Sequence, residues 1–243
     1  MDDRILDIGC GDGVLDLEIA RILSQGCGNL FGIDSSPAMI TAAKASAASA
    51  GLADRCHFAV RDATNLNSSH FEPAYFNKAF SNAALHWILR HPATRAAVFR
   101  DIRRALCPGG TFAFEMGGLG NVSEVRAALL SAVGRRVGLE RAQEADPWFF
   151  PDEEWIREML EVTVGGWKVE RVEREWRPTK ADKGGVEGWV RLMGKGFFEA
   201  VEGEDERKRC ITEVVDVLEV VCREPGGGWV FGYVRLRVLA RRV

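Results

Sequence analysis

Three features of the sequence point to an α/β fold built on a mostly parallel sheet. Short apolar runs alternate with helical patterns through residues 1–120, and such alternation requires crossover connections between parallel strands. The runs are apolar throughout rather than alternating with polar residues, as strands buried on both faces must be. A glycine cluster, Gly9-Cys10-Gly11-Asp12-Gly13, separates the first run from the first helical pattern.

Arg4–Ile8 is a short apolar strand stopped by glycines. Val14–Ser24 has apolar residues at Val14, Leu15, Leu17, Ile19, Ala20, Ile22 and Leu23, which predicts a mostly buried helix. Asn29–Ile33 is a second strand. Ser36–Ala50 is a helix, with Ser35 or Ser36 as N-cap, Pro37 in the first turn and Gly51 as its stop. Cys56–Val60 and Phe76–Ser81 are strands, Pro92–Leu106 is a helix, and Pro108-Gly109-Gly110 turns the chain into a fifth strand, Thr111–Met116. Beyond Gly120 the rhythm changes. Val122–Val137 and Asp152–Glu161 read as helices around a loop at 146–151. Trp167–Trp176 reads as a strand with a phase slip near Glu170-Arg171. Val186–Val201 and Glu204–Cys222 read as helices, and Trp229–Ala240 as a final strand. With no repeat and no low-complexity linker, residues 1–243 are expected to form a single domain: a ligand-binding core over 1–120, then the remaining strands with helical insertions over 121–243.

Composition excludes several classes. Apolar residues make up 47% and charged residues 28% of the 243, as in an ordinary globular chain. Lys and Arg number 32 against 35 Asp and Glu. The signs balance in both halves, so no basic face for nucleic acid is expected. The longest apolar stretches carry charges, so no membrane span is expected, and the opening residues lack the pattern of a signal peptide. Six cysteines stand without the spacing of a zinc or redox pair, so no metal site is expected and a reducing, cytoplasmic setting is the default.

The sharpest signal is Asp7-Ile8-Gly9-Cys10-Gly11-Asp12-Gly13. Glycines there let a backbone approach a ligand closely, and the helix beyond presents free N–H groups. Dinucleotides and S-adenosylmethionine both use such a site. A dinucleotide fingerprint needs Gly or Ala at position 14, where Val14 stands, which disfavours a nicotinamide dehydrogenase. Asp7, two residues before the first glycine, suits a cationic amino group better than a pyrophosphate. Asp34 ends the second strand, where a carboxylate can accept from both ribose hydroxyls. Asp62 follows the third strand and could accept from an adenine amino group.

With these residues in place, the chain resembles the class I S-adenosylmethionine-dependent methyltransferases, and within them the small-molecule group that includes the trans-aconitate and malonyl-carrier-protein methyltransferases. The matching segments are ILDIGCGDG, GIDSSPAMI, RDATNL, FSNAALHWI, ALCPGGTFAFEMGGLGN and GYVRLRVLA. The resemblance implies a Rossmann-like sheet of seven strands, mostly parallel with the last antiparallel, helices on both faces and a helical insertion before the last strand. It implies S-adenosyl-L-methionine as cofactor, S-adenosyl-L-homocysteine as product and a small organic molecule as methyl acceptor. Asp7 and the backbones of Gly9 and Gly11 would hold the methionine end. Asp34 would hold the ribose, with Ser35 and Met39 against the nucleoside. Asp62 and the Ala63 backbone would bind adenine, and Ser81 and Asn82 would face the amino group and the methyl.

Methyl transfer from a sulfonium is an in-line displacement that depends on positioning. A carboxylate acceptor needs no base, whereas a hydroxyl needs one. His86 and Trp87, with Asn82, are the candidates to line the acceptor site, and Arg90 and His91 follow a turn later. Trp148-Phe149-Phe150 and Trp189-Val190-Arg191 are further candidates, although packing of the insertion is the favoured reading for most of them. Relatives usually carry a helical lid before the first strand, which here begins within five residues of Met1. Gly232 also replaces an acid of the late motif. The alternative expectation is therefore a non-catalytic or truncated binding protein with this fold.

Overall fold

The computed structural model describes residues 2–66 and 71–243. Along the chain the elements are β1 (Arg4–Ile8), α1 (Val14–Leu23), β2 (Asn29–Asp34), α2 (Pro37–Ser49), β3 (Cys56–Val60), β4 (Phe76–Asn82), α3 (Leu85–Ile88), α4 (Arg95–Ala105) and β5 (Leu106–Gly117). They continue as α5 (Ser123–Val137), α6 (Leu139–Ala145), α7 (Glu153–Arg157), β6 (Trp167–Trp176), β7 (Thr179–Lys180), α8 (Gly185–Met193), α9 (Lys195–Glu199), α10 (Glu204–Val221), β8 (Val230–Phe231) and β9 (Val234–Arg242). The chain divides into two compact units, one of residues 1–117, 151–174 and 236–243, the other of 118–150 and 175–235. Among the described residues no helix is long and apolar enough to cross a membrane.

The seven-stranded sheet runs β3-β2-β1-β4-β5-β9-β6. β1 pairs in parallel with β2 (Ile5 with Leu30) and with β4 (Leu6 with Ala79). β5 also runs parallel to β4, but their register shifts. Phe76 faces Leu106 and Lys78 faces Thr111, so the Pro108-Gly109-Gly110 segment is a bulge within one long strand rather than a turn before a shorter one. β9 is antiparallel to β5: Arg237, early in β9, pairs with Glu115 late in β5, and Arg242 at its end donates to the Leu106 carbonyl at the start of β5.

The first unit is built around these strands. Leu6, Ile8, Leu30 and Ile33 are fully buried, as central strands covered on both faces must be. One face packs Ile5 and Leu30 against Ala20 and Leu23 of α1 and Ile40, Ala43 and Ala47 of α2. Elsewhere in the unit, Phe71 stands edge-on to Phe31 and Phe76, and Phe112 lies 6.2 Å from Trp167. Ser36 is the N-cap of α2, its hydroxyl accepting the Met39 N–H, and Pro37 opens the helix. α4 is shorter than its sequence pattern, because Pro92–Thr94 forms a separate 3-10 turn. α7 continues as a π-helix over Glu158–Val164, whose last carbonyl and that of Gly165 accept from Arg103. β6 shows the phase slip its sequence announces, with Trp167 and Val169 buried and Glu170 and Arg171 both exposed.

The second unit is helical. Leu129 and Val133 of α5, Val190 of α8, Phe197 and Phe198 of α9, and Val214 and Leu218 of α10 share one core with Trp148, Phe150 and Phe231. The Asp146 carboxylate fixes the 146–150 loop, taking the Trp148 N–H at 3.0 Å and pairing with Arg126 at 2.5 Å. The single helix expected over Val186–Val201 is two. At Gly194 a side chain would come within 2.7 Å of the Val190 carbonyl, so the chain turns there at a residue that lacks one. The final strand is likewise split at Gly232-Tyr233 into β8 and β9.

α1 departs most from expectation. Val14, Leu15 and Ile22 are exposed, and the buried residues are Asp16, Ala20 and Leu23. Positions i, i+4 and i+7 share one helix face, so packing Ala20 and Leu23 into the core carries Asp16 in with them, at 0% exposure. Burial raises its carboxyl to about 6. The folded chain thus holds this proton more tightly than the unfolded chain does. The stability contributed by the protonated form is full below the ordinary carboxyl value and is lost as pH rises toward 6. Asp16→Asn, which removes the ionisation, is expected to raise the unfolding free energy by about 2–3 kcal/mol at pH near 8 and by little near pH 4. Urea unfolding across that range is the measurement; an effect independent of pH would contradict the assignment.

Candidate functional site

The glycine loop leaves β1 in a conformation set by hydrogen bonds to β2. The Gly9 and Cys10 N–H groups both donate to the Ile33 carbonyl, at 2.8 and 3.0 Å. Gly9, Gly11 and Gly13 all have positive φ, at 77°, 58° and 78°, where a side chain is strained. At Gly9 there is also no room for one: a Cβ would lie 2.2 Å from the Ala84 Cβ, in the loop after β4. Gly11 is the opposite case. A Cβ there would meet nothing within 4 Å, so the backbone at Gly11 presents an open surface.

The acids at the strand ends are held by backbone donors. Asp34 takes the Gly11 N–H on Oδ2 at 3.1 Å and the Ser36 N–H on Oδ1 at 2.8 Å. It therefore joins the end of β2 to the glycine loop. A carboxylate has about four lone-pair sites, so two hydroxyl donors can still be accommodated. Asp62 caps the 3-10 turn Ala63–Asn65, its Oδ1 accepting both the N–H and the hydroxyl of Thr64 at 2.8 Å. Asp7 is 3% exposed, and its Oδ1 is buried without a partner. Burial and the nearby carboxylates of Asp16 and Asp34 push Asp7 well above the usual carboxyl range. The same surroundings push the Cys10 thiol far up, which keeps it protonated and unreactive.

These residues surround a cavity of about 770 Å³ in the first unit, at the carboxyl ends of β1, β2, β3 and β4. This is where strand order reverses and where open α/β sheets bind ligands. Asp7, Gly9, Gly11, Asp34, Ser35, Met39, Asp62, Ala63, Asn82 and Trp87 all line it. Ser81 and His86, expected at the same place, do not. The Ser81 side chain is fully buried and its hydroxyl donates to the Ile8 carbonyl at 2.7 Å, tying β4 to β1. His86 is 7% exposed, and its Nδ1 accepts the Gly117 N–H of β5. The reason is helical geometry. α3 is a single turn, and successive residues point about 100° apart, so Trp87 reaches the cavity while its neighbour is turned to the sheet.

Asp12, Arg61 and Ile88 also stand on the cavity wall, although no role was expected of them from the sequence, and Arg90 and His91 join them there. Arg61 carried a signal, as the residue directly before Asp62 at the end of β3; its Nε is buried without a partner. Asp12 belongs to the glycine loop itself, whereas Ile88, Arg90 and His91 depend on how the chain after β4 folds back. Among the described residues no cluster of His, Cys, Asp and Glu could hold a metal ion. The aromatic candidates of the second unit are structural. Trp148 and Phe150 stack in its core, the Trp189 indole N–H donates to the Tyr233 hydroxyl at 2.7 Å, and Arg191 is exposed and paired with Glu187.

Comparison with known proteins agrees with this geometry. Residues 1–133 match the family model described as a methyltransferase domain. The chain is 38% identical over 245 residues to the uncharacterized methyltransferase C70.08c of Schizosaccharomyces pombe, covering 99% of this chain and 86% of that protein. It is 33% identical over 117 residues to the trans-aconitate 2-methyltransferase of Streptomyces avermitilis, a match spanning 47% of this chain and 39% of that one. The crystal structure of the YcgJ protein from Bacillus subtilis superimposes with a TM-score of 0.65 at 17% identity, covering 99% of this chain and 92% of that one. By its cavity, its sheet and these relatives, the chain belongs to the methyltransferase-domain family and is a class I S-adenosylmethionine-dependent methyltransferase.

Proposed function

We propose that this chain binds S-adenosylmethionine in the cavity at the β1–β4 switch point and methylates a small organic molecule there, with a carboxylate oxygen as the favoured acceptor. The observation that carries the cofactor assignment is the orphaned Asp7 Oδ1 beneath an open glycine loop. A buried carboxylate oxygen without a donor calls for a cationic one, and an α-ammonium group supplies it. Asp34 then accepts from the ribose hydroxyls. Asp62, whose Oδ2 carries neither of its two bonds to Thr64, takes the adenine amino group beside the Ala63 backbone. Ser35 and Met39 cover the nucleoside.

The bound sulfonium supplies an electrophilic methyl group, and the chain supplies position. Asn82 and Trp87 hold the acceptor against the methyl, and Arg90 and His91 add donors on the same wall. Two features support an acceptor that is already anionic. Arg61 and Arg90 bring positive charge to the cavity lining, which suits a carboxylate. His86, the base the sequence offers for a hydroxyl acceptor, is buried with Nδ1 engaged by Gly117, and His91 on the lining is read here as a donor to the acceptor. The six cysteines are all unpaired, which supports a reducing compartment such as the cytoplasm.

Transfer of labelled methyl from S-adenosylmethionine to a panel of carboxylic acids, phenols and amines tests the reading. Labelling of acids is expected; labelling confined to phenols or amines would overturn the carboxylate assignment, and binding without any transfer would favour a non-catalytic protein. Asp34→Ala is expected to weaken S-adenosylhomocysteine binding by about 10- to 150-fold, the value of one charge-assisted hydrogen bond at about 1.5–3 kcal/mol. Calorimetric titration checks this, and unchanged affinity would place the ribose elsewhere. His86→Asn keeps an acceptor for the Gly117 N–H and is expected to leave turnover within about threefold. A loss approaching the roughly 10²–10⁴-fold that a general base contributes would make His86 the base and the acceptor a hydroxyl.

A further inference from the structure

Asp16 has no place in the methyl-transfer reading, yet it is the most fully buried carboxylate of the described residues, at 0% exposure, and its neighbour is the cavity-lining Asp7. Asp7 is on β1 and lines the cavity; Asp16 is in the first turn of α1 and does not. Both Asp16 carboxylate oxygens and the Asp7 Oδ1 are buried without another hydrogen-bond partner, and the two side chains are within hydrogen-bond reach of each other. Among the described residues no cation faces them. The charged and titratable groups around the pair are Asp12 of the glycine loop, Asp34 at the end of β2, and the Cys10 and Cys56 thiols. The donors nearest them are weak or backbone: the Ile8 N–H at Asp7, the Asp16 N–H at its own side chain, and the Cys56 Sγ, which is directed to the Asp16 carbonyl at 3.9 Å rather than to its carboxylate.

Two buried carboxylates in contact, among further acids and without a cation, cannot both be ionised at low cost. One proton between them answers the orphaned oxygens, because the protonated member becomes the donor. We propose that Asp16 is a positioning residue that shares a proton with Asp7 in the ligand-free protein, so that entry of the cofactor's ammonium group beside Asp7 expels that proton to solvent. This proposal rests on the cofactor reading above and deepens it. The balance is simple: one O–H bond of the pair is broken, the proton goes to water or buffer, and the ammonium takes over its place as donor to the Asp7 oxygen. Burial and the like charges hold both carboxyls above their ordinary range in the free protein, and the arriving positive charge lowers them. Affinity must therefore fall as pH falls below the pair's upper titration. If the proton belonged to Asp7 alone, raised by its own burial, the dependence would persist when Asp16 can no longer ionise.

The test is calorimetric titration of the whole chain with S-adenosylhomocysteine, which carries the same ammonium, at pH about 6.5 in phosphate and in imidazole, whose ionisation heats differ. The difference in binding heat counts the protons released. The wild type is expected to release a substantial fraction of one proton per site, and its affinity is expected to fall by up to about tenfold per pH unit between about pH 7 and 5.5. Asp16→Asn, which keeps a donor toward Asp7 but cannot ionise, is expected to bind with no proton release and a flat pH profile. Equal wild-type heats in the two buffers, or a proton release that survives in Asp16→Asn, would overturn the proposal while leaving the cofactor site intact. Absence of wild-type binding at every pH would overturn the cofactor reading, and this proposal with it. Asp16→Leu, which removes the second carboxyl altogether, is expected to lose the proton release in the same way, and release that survives in it would also overturn the proposal.

Discussion

The site is organised by the close approach of the loop after β1 to the loop after β4. The two strands are neighbours in the sheet, although two helices and two strands lie between them along the chain. Their loops meet at Gly9 and Ala84, where not even a methyl group more could fit. The Ser81 hydroxyl on the Ile8 carbonyl fastens the same junction from below. Everything else in the cavity is placed relative to this seam: Asp34 reaches across from β2 to the Gly11 N–H, and α3 starts one residue beyond Ala84 and turns Trp87 inward.

The electrostatics of the site run against the stability of the fold. Asp7 and Asp16 occupy positions that an apolar residue would fill at lower cost, and among the described residues no arginine or lysine compensates them. Functional sites concentrate such groups because a pre-formed, under-satisfied charge binds its ligand more strongly than a satisfied one. The lining carries both signs: acids lie at the ends of β1, β2 and β3, and Arg61, Arg90 and His91 also stand on it.

In the second unit the aromatic residues resolve into packing. Trp148, Phe150, Phe197 and Phe231 form one core with the helices around them. The polar ends that could have bound a ligand are used internally: the Trp189 N–H by Tyr233, and the Asn121 amide oxygen by the Val234 N–H. Burying an indole or an amide requires such a partner, and here the partners come from the same unit.

The sheet, the glycine loop and the three strand-end acids were all legible in the amino-acid order. Each rests on a local rule: apolar runs for doubly covered strands, positive φ for Gly9, Gly11 and Gly13, and a carboxylate at or just beyond a strand end for Asp34 and Asp62. Local rules failed where the answer depends on what lies across a gap. Helical periodicity marked α1 as apolar nearly all round, but only its docking against β2, β3 and α2 decided that Asp16 rather than Val14 or Leu15 would be buried. Proximity in sequence to Asn82 placed His86 at the acceptor, but the phase of a one-turn helix and an N–H from β5 turned it away. The same folding-back of the chain after β4 brought Arg90 and His91 to the cavity lining. Which face of an element is buried is settled by its neighbours in space, and those neighbours are tens of residues away along the chain.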